Sequence, residues 1–255
     1  MCLIGVAINE HKDYPFILVA NRDELYNRPT KEAHYWPDYP LMLAGKDLVK
    51  GGTWLGISKE GKLAALTNYR ELDEKQYAHS RGQLVTSFIN SASEFEKILK
   101  NKNCYPGFNL LYGTTEKLVY TSNRDNQKRS ITKGIHALAN ASLNSPWPKA
   151  MALKKGLHEI LSLSSNDGLE QSLFQLLSDE KHFNDELLPD TGVGLTLERK
   201  LSPIFINIEG YGTRSSTVIM ADRKGNVTFT EKAHAPKSHI NTYEFKIGKN
   251  TFNKR

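Results

Sequence analysis

A buried strand that starts at the second residue constrains this chain more than any other feature. Cys2-Leu3-Ile4-Gly5-Val6-Ala7-Ile8 is uncharged and mostly apolar, and it is too short to hold the charged and apolar regions of a secretory signal. Residues 10–14 are polar and end at Pro15, after which Phe16-Ile17-Leu18-Val19-Ala20 is a second apolar run. Two such runs joined by a short turn form an antiparallel hairpin, which returns the end of the second strand to the start of the first. Cys2 and the tetrad Asn21-Arg22-Asp23-Glu24 are therefore expected to be neighbours.

The rest of the chain repeats this grammar. Residues 26–48 are rich in Pro, aromatic and charged residues and read as an ordered loop. Residues 51–58 and 63–70 are apolar runs around Glu60-Gly61, a strong hairpin signal. Serine caps predict helices over 80–90 and from Ser91 or Ser93 to 100. Strands are expected at 108–112 and 117–121, a polar loop at 122–130 and a strand at 135–140. Pro148 opens a helix to 161, a second spans 168–177, and 183–188 is a turn. Gly192 and Gly194 mark a loop, and strands at 204–208, 212–222, 227–232 and 243–247 finish the chain. Strands at both ends, helices between them and hairpins in place of βαβ alternation predict an α+β fold, antiparallel sheets covered by helices, in one domain over 1–255.

Composition narrows the function. The net charge is +6, but the basic residues are scattered, so nucleic acid is not an expected partner. No apolar run approaches the roughly 18 residues of a membrane span. Cys2 and Cys104 make neither a CxxC pair nor a disulfide framework, which suits a reducing compartment and makes the cytoplasm the default location. The eight histidines are dispersed; no metal site is expected, and His136 is a lone strand histidine. Oligomeric state is left open.

Chemistry concentrates at strand ends. If Met1 is removed, Cys2 carries both a thiol and an α-amine of pKa about 7.7 to 8.0, close enough to neutrality to take the thiol's proton. The bland alternative is a small apolar side chain packed in a strand. Asn68 and Asn140 each follow an apolar run, and an asparagine N–H can bind a developing oxyanion. Asp23 or Glu24 can hold an amine, and Arg22 or Arg214 can bind a carboxylate. Singly, each has an ordinary reading: turn-capping asparagines, a surface ion-pair cluster, a solvated Arg214. Trp36, Trp54 and Trp147 line either the site or the core.

Cys2, the tetrad 21–24, Gly51-Gly52-Thr53-Trp54-Leu55-Gly56, Thr67-Asn68-Tyr69-Arg70 and Ser145-Pro146-Trp147-Pro148-Lys149 together resemble the NRDE family, which includes the transport-and-Golgi-organisation proteins. That resemblance spans nearly the whole chain, and it implies links to Golgi organisation, mitochondrial lipid metabolism and haem trafficking without naming a reaction. A more distant resemblance does name one. The arrangement is similar to N-terminal-nucleophile hydrolases of the choloylglycine hydrolase and penicillin V acylase group, which implies a four-layer αββα sandwich that cleaves linear amide bonds. Cys2, Asn68, Asn140 and Arg214 match that group by order and strand context. The tetrad departs from its Arg-Asn-x-Asp pattern: one register puts Asn21 at the Arg position and Glu24 at the Asp position, and a one-residue slip aligns Arg22. These registers turn opposite side chains toward Cys2.

The resemblance thus implies an N-terminal-cysteine hydrolase of a small-molecule amide or ester, with no cofactor. Cys2 is its nucleophile, Asn68 the oxyanion donor, and Asn140 with Asp23 or Glu24 the holders of the amine. Asn21, Arg22, Arg214 and Trp54 bind substrate. The competing expectation is a non-catalytic carrier or trafficking protein for haem or an acylated lipid on the same fold.

Overall fold

The computed structural model describes residues 2–72, 75–125, 128–163 and 166–248. The first apolar run is β1 (Cys2–Ile8), and the second, β2 (Phe16–Leu25), continues through the whole tetrad. β3 (Thr30–Trp36) and β4 (Tyr39–Asp47) form a hairpin, followed by β5 (Leu55–Ser58) and β6 (Lys62–Asn68). Helices α1 (Gly82–Asn90) and α2 (Ala92–Lys100) lead to β7 (Phe108–Thr114), β8 (Leu118–Ser122), β9 (Lys128–Ile131) and β10 (Gly134–Leu138). Then come α3 (Pro148–Ser162), α4 (Leu169–Leu177), α5 (Leu195–Lys200), β11 (Asn207–Ile208), β12 (Tyr211–Ala221), β13 (Asn226–Ala233) and β14 (His239–Lys246).

The strands make two antiparallel sheets, ordered β10-β1-β2-β12-β13-β14 with β11 on β12, and β3-β4-β5-β6-β7-β8-β9. Alternation along each strand divides the core into layers. Ile4, Val6, Phe16 and Leu18 meet Leu43, Ile57, Leu63 and Tyr120 between the sheets. Leu3, Ile17 and Val19, one residue out of phase, face Leu153, Leu157 and Leu173 of α3 and α4. Leu66, Phe108 and Leu110 face Leu84, Val85 and Ile89 of α1 on the far side. The result is the four-layer αββα sandwich that the sequence led us to expect.

Gly5 lets α3 approach its sheet: a Cβ there would lie 2.8 Å from Leu157 Cδ1 and 3.1 Å from Val19 Cγ2. Gly5→Ala is expected to destabilise the fold by about 1–3 kcal/mol through overpacking. A urea midpoint lowered at unchanged slope is the readout.

Four expectations need correction. Residues 26–48 are not a loop but the hairpin β3–β4, because Pro29 and Pro37 fall outside the strands while Ala33, Trp36 and Leu43 bury; the register shifts between Lys31/His34 and Tyr35/Trp36 obscure the alternation. Residues 128–130 of the expected loop 122–130 pair with β8 as the start of β9. The loop after Gly194 contains α5, and the strand foreseen at 204–208 shrinks to Asn207–Ile208. Among the described residues no helix is long and apolar enough to cross a membrane.

Candidate active site

The pairing of β1 with β2 settles which tetrad residues face Cys2. Cys2 lies directly opposite Arg22, and Leu3 opposite Asn21. Directly opposed residues share a face, so Cys2, Arg22 and Glu24 point between the sheets, with Asn21 and Asp23 on the helix side. Cys2, Arg22, Asp23, Glu24, Trp54, Asn68 and Arg214 all line one cleft of about 1080 Å³.

Asn21 does not line it. Wholly buried, its Nδ2 donates to Leu177 O at 2.8 Å and Ile204 O at 2.9 Å, and its Oδ1 accepts from Ser216 Oγ at 2.7 Å. The amide expected to touch substrate ties α4 and the following segment to the sheet instead; odd parity on β2 is the physical reason.

Asn68 closes β6, and among the described residues its side-chain amide has no hydrogen-bond partner, so it is available to the cleft it lines. Asn140 does not line the cleft; it is wholly buried and tied to the Asn68 backbone by a staple between the sheets. Arg70 N–H donates to Asn140 O at 2.7 Å, Asn140 Nδ2 donates to Asn68 O at 3.0 Å, and Thr67 Oγ1 donates to Ala139 O. Asn140 Oδ1 is left buried with no acceptor role filled among the described residues. A buried orphan acceptor costs free energy unless a donor reaches it.

Arg214 is not the solvated residue of the ordinary reading; it is buried. The register of β12 on β2 shifts between Thr213, opposite Asp23, and Ser215, opposite Arg22, so Arg214 is the extra residue of a β-bulge. Its Nη1 donates to the carbonyls of Leu25 (3.0 Å), Tyr26 (3.1 Å) and Arg28. The guanidinium pins the turn after β2 at the cleft edge. Arg22 sits 3.8 Å from Glu24, which Arg28 also approaches at 3.7 Å.

Behind Cys2 stands a buried charge cluster of which the sequence reading used only Asp23. Thr213 Oγ1 donates to Asp23 at 2.8 Å. Burial raises the Asp23 carboxyl above its ordinary range, opposed by Lys149 and Arg70. Lys149 is buried on α3, donates to Leu201 O at 2.9 Å, and is pushed down by burial to about 8, with Asp23 opposing. Arg70 meets Glu198 of α5 at 2.6 Å and lies 4.8 Å over the Trp147 ring. Lys149 lay within a quoted motif but read as a helix start; Arg70 likewise had a motif but no partner, since Glu198 is 128 residues away.

Electrostatics hold the Cys2 thiol neutral. Burial pushes it up to about 11, with the chain's amino terminus and Arg22 opposing and Asp23 and Glu24 adding. The cleft as a whole is basic, lined by nine Lys and Arg against five Asp and Glu. Trp54 belongs to it, whereas Trp36 is core and Trp147 is the Arg70 platform. Cys104 is exposed. His136 has both ring nitrogens near partners, Lys133 O and Asn144 Nδ2, each at 3.0 Å. Among the described residues no group of three or more His, Cys, Asp or Glu could hold a metal ion.

Comparison with known proteins places the chain among relatives. A family model described as Transport and Golgi organisation 2 matches residues 1–236. The human Transport and Golgi organization protein 2 homolog is 38% identical over 257 residues, covering 92% of this chain and 93% of the relative. The mouse homolog is 36% identical over 257 residues with the same coverage. Among solved structures, the mutant C2A conjugated bile acid hydrolase from Clostridium perfringens is similar at 10% identity and a TM-score of 0.47, covering 95% of this chain and 92% of that one.

Proposed function

Since the chain belongs to the transport and Golgi organisation 2 family, a name that specifies no reaction, we propose from its site that it hydrolyses a small-molecule amide or ester with Cys2 as nucleophile once Met1 is removed. One observation carries this reading: Cys2 and the unengaged amide of Asn68 come from different sheets to line the same cleft. Nucleophile and oxyanion donor are the two parts acyl transfer needs in register.

The chemistry follows from the residues. The Cys2 α-amine accepts the thiol proton, and the thiolate attacks the carbonyl carbon. Asn68 Nδ2 donates to the oxygen that becomes negative. The amine returns its proton to the leaving nitrogen or oxygen, and water, activated by the same amine, releases the acid from the thioester. Asp23 is the carboxylate suited to hold the amine, because Thr213 fixes its orientation and Lys149 favours its ionised form. Asn140 Oδ1 is the second acceptor. Glu24 is the weaker choice, since its Oε1 accepts from Leu25 N–H at 2.9 Å and its Oε2 lies near two arginines. Trp54, Arg22 and Arg214 shape the substrate side of the cleft.

Intact-mass measurement of the purified protein, followed by labelling with an amide-mimicking electrophile, tests the proposal. The expected result is a chain lacking Met1 whose Cys2 is modified while Cys104 is not. Retention of Met1, or equal labelling of both cysteines, would falsify it. The size and basic lining of the cleft also suit a carrier of an acidic or hydrophobic small molecule. Ligand binding that survives Cys2→Ala in a chain that keeps Met1 is the outcome that selects that reading.

A further inference from the structure

Arg81, the residue before α1, lines the cleft with Cys2 and Asn68, and no role given so far uses it. A close backbone contact builds its position. A Cβ on Gly52 would lie 2.7 Å from Gly82 C, and one on Gly82 would lie 3.0 Å from Thr53 N. The Gly51-Gly52-Thr53-Trp54 turn and the start of α1 therefore touch along bare backbone, an approach that glycine on both sides permits. The far end of the side chain is fixed as well. Arg81 Nη1 donates to Gly107 O at 3.1 Å, and the same carbonyl accepts Tyr69 N–H at 3.0 Å. Tyr69 follows Asn68, so the guanidinium is anchored beside the oxyanion donor. Among the described residues this is the only hydrogen bond the guanidinium makes, leaving its other N–H groups for the cleft.

We propose that Arg81 is a positioning residue that faces Cys2 and stabilises negative charge on its sulfur, and that the Gly52–Gly82 contact holds it there. The proposal rests on the reading of Cys2 as nucleophile. The charged and titratable groups that face Cys2 are the chain's own α-amine, Arg22, Asp23 and Glu24 from β2, Tyr211 from β12, Lys149 from α3, and Arg81. Among the cations, Arg22 is close to Glu24, and Lys149 interacts with Asp23. Glu71 is bonded to Arg124 at 2.7 and 2.6 Å. Glu24 and Glu71 also act on Arg81, but among the described residues neither makes a hydrogen bond or ion pair with it.

The test is the pH dependence of Cys2 alkylation by iodoacetamide in the full chain lacking Met1, followed by mass spectrometry. Arg81→Gln is expected to move the inflection upward by about one unit, the shift expected when an opposite charge is removed from a thiolate's surroundings. Arg81→Lys is expected to stay near wild type. An unmoved inflection in a folded Arg81→Gln protein, or equal shifts in both variants, overturns the proposal. If Arg81→Gln does not fold, the wild type decides: Cys2 is expected to prefer anionic iodoacetate over iodoacetamide relative to free cysteine, with salt erasing the preference. A preference for the neutral reagent overturns the proposal. No labelling of wild-type Cys2 by either reagent defeats the nucleophile reading and this inference with it, whereas normal labelling that ignores Arg81 defeats this inference alone.

Discussion

Protein carrying even one residue ahead of Cys2, as with an N-terminal tag that is never removed, is expected to lose labelling of Cys2 by roughly 10²-fold or more near pH 8. The cause is the thiol's setting. With a peptide bond in place of the amine, burial holds the thiol at about 11, so only about one molecule in 10³ is ionised at that pH. An unperturbed thiol near 8.5 would be about a quarter ionised. The sign follows from the direction of the shift: reactivity of the extended protein should climb steadily as pH rises toward 11. The mature chain should instead plateau once its amine is deprotonated, near pH 8. Alkylation followed by peptide mass mapping, run on tagged and untagged chains across pH 6–10, distinguishes the two profiles. Coincident profiles would show that the α-amine takes no part. A C-terminal tag is the natural control.

The second large effect concerns stability. Glu198→Ala is expected to cost about 3–5 kcal/mol, because it removes one member of a buried ion pair and leaves the other's charge in place. Arg70 and Glu198 are only 6% and 3% exposed, so solvent offers little compensation. Glu198 also accepts from Thr191 through both its backbone N–H, at 3.1 Å, and its hydroxyl. Losing it releases α5 and the segment before it. Arg70→Met with Glu198→Leu is expected to recover much of the loss, since apolar side chains of similar volume can replace a buried pair. Urea unfolding of the wild type, the single variant and the double variant measures this. A Glu198→Ala protein within about 1 kcal/mol of wild type would contradict the assignment.

How much of this was legible in the sequence depends on where the information lies. The hairpin of β1 and β2 was readable because its apolar runs are continuous and its turn is short. The helices α2 and α3 were readable from Ser91, whose side chain accepts Glu94 N–H at 3.4 Å, and from Pro148 at the first turn of α3, whereas α1 starts after Arg81 with no side-chain cap from Ser80. The hairpin β3–β4 was hidden because its burial comes from the other sheet: Glu231 Oε1 accepts Ala33 N–H at 2.7 Å and Tyr243 Oη donates to Ala33 O at 2.6 Å. Nothing near residue 33 announces those partners.

The site divides the same way. Cys2, Asn68 and Arg214, which line one cleft, could be singled out because each begins, ends or breaks an apolar run, a local signal. The role of Asn21 was misread because its face depends on a register of one residue, which pairing with β1 fixes and composition does not. Lys149 and Arg81 were passed over because lysine and arginine are ordinarily surface residues. What buries Lys149 and draws the half-buried Arg81 into the cleft is tertiary: the packing of α3 on the sheet, and the glycine contact at the start of α1.

The bulge at Arg214 has a consequence for how this chain can change length. Thr213 reaches Asp23 and Ser216 reaches Asn21, both on the helix side of the sheet, although they are three residues apart. In a regular strand an odd separation places side chains on opposite faces; the extra residue restores agreement. Deleting one residue from 213–216 would straighten β12 but force a choice between orienting Asp23 and holding α4. Insertions and deletions here are therefore coupled, not neutral. Homologues that differ in length should place the difference in the connections 9–15 or 222–225 before touching this stretch.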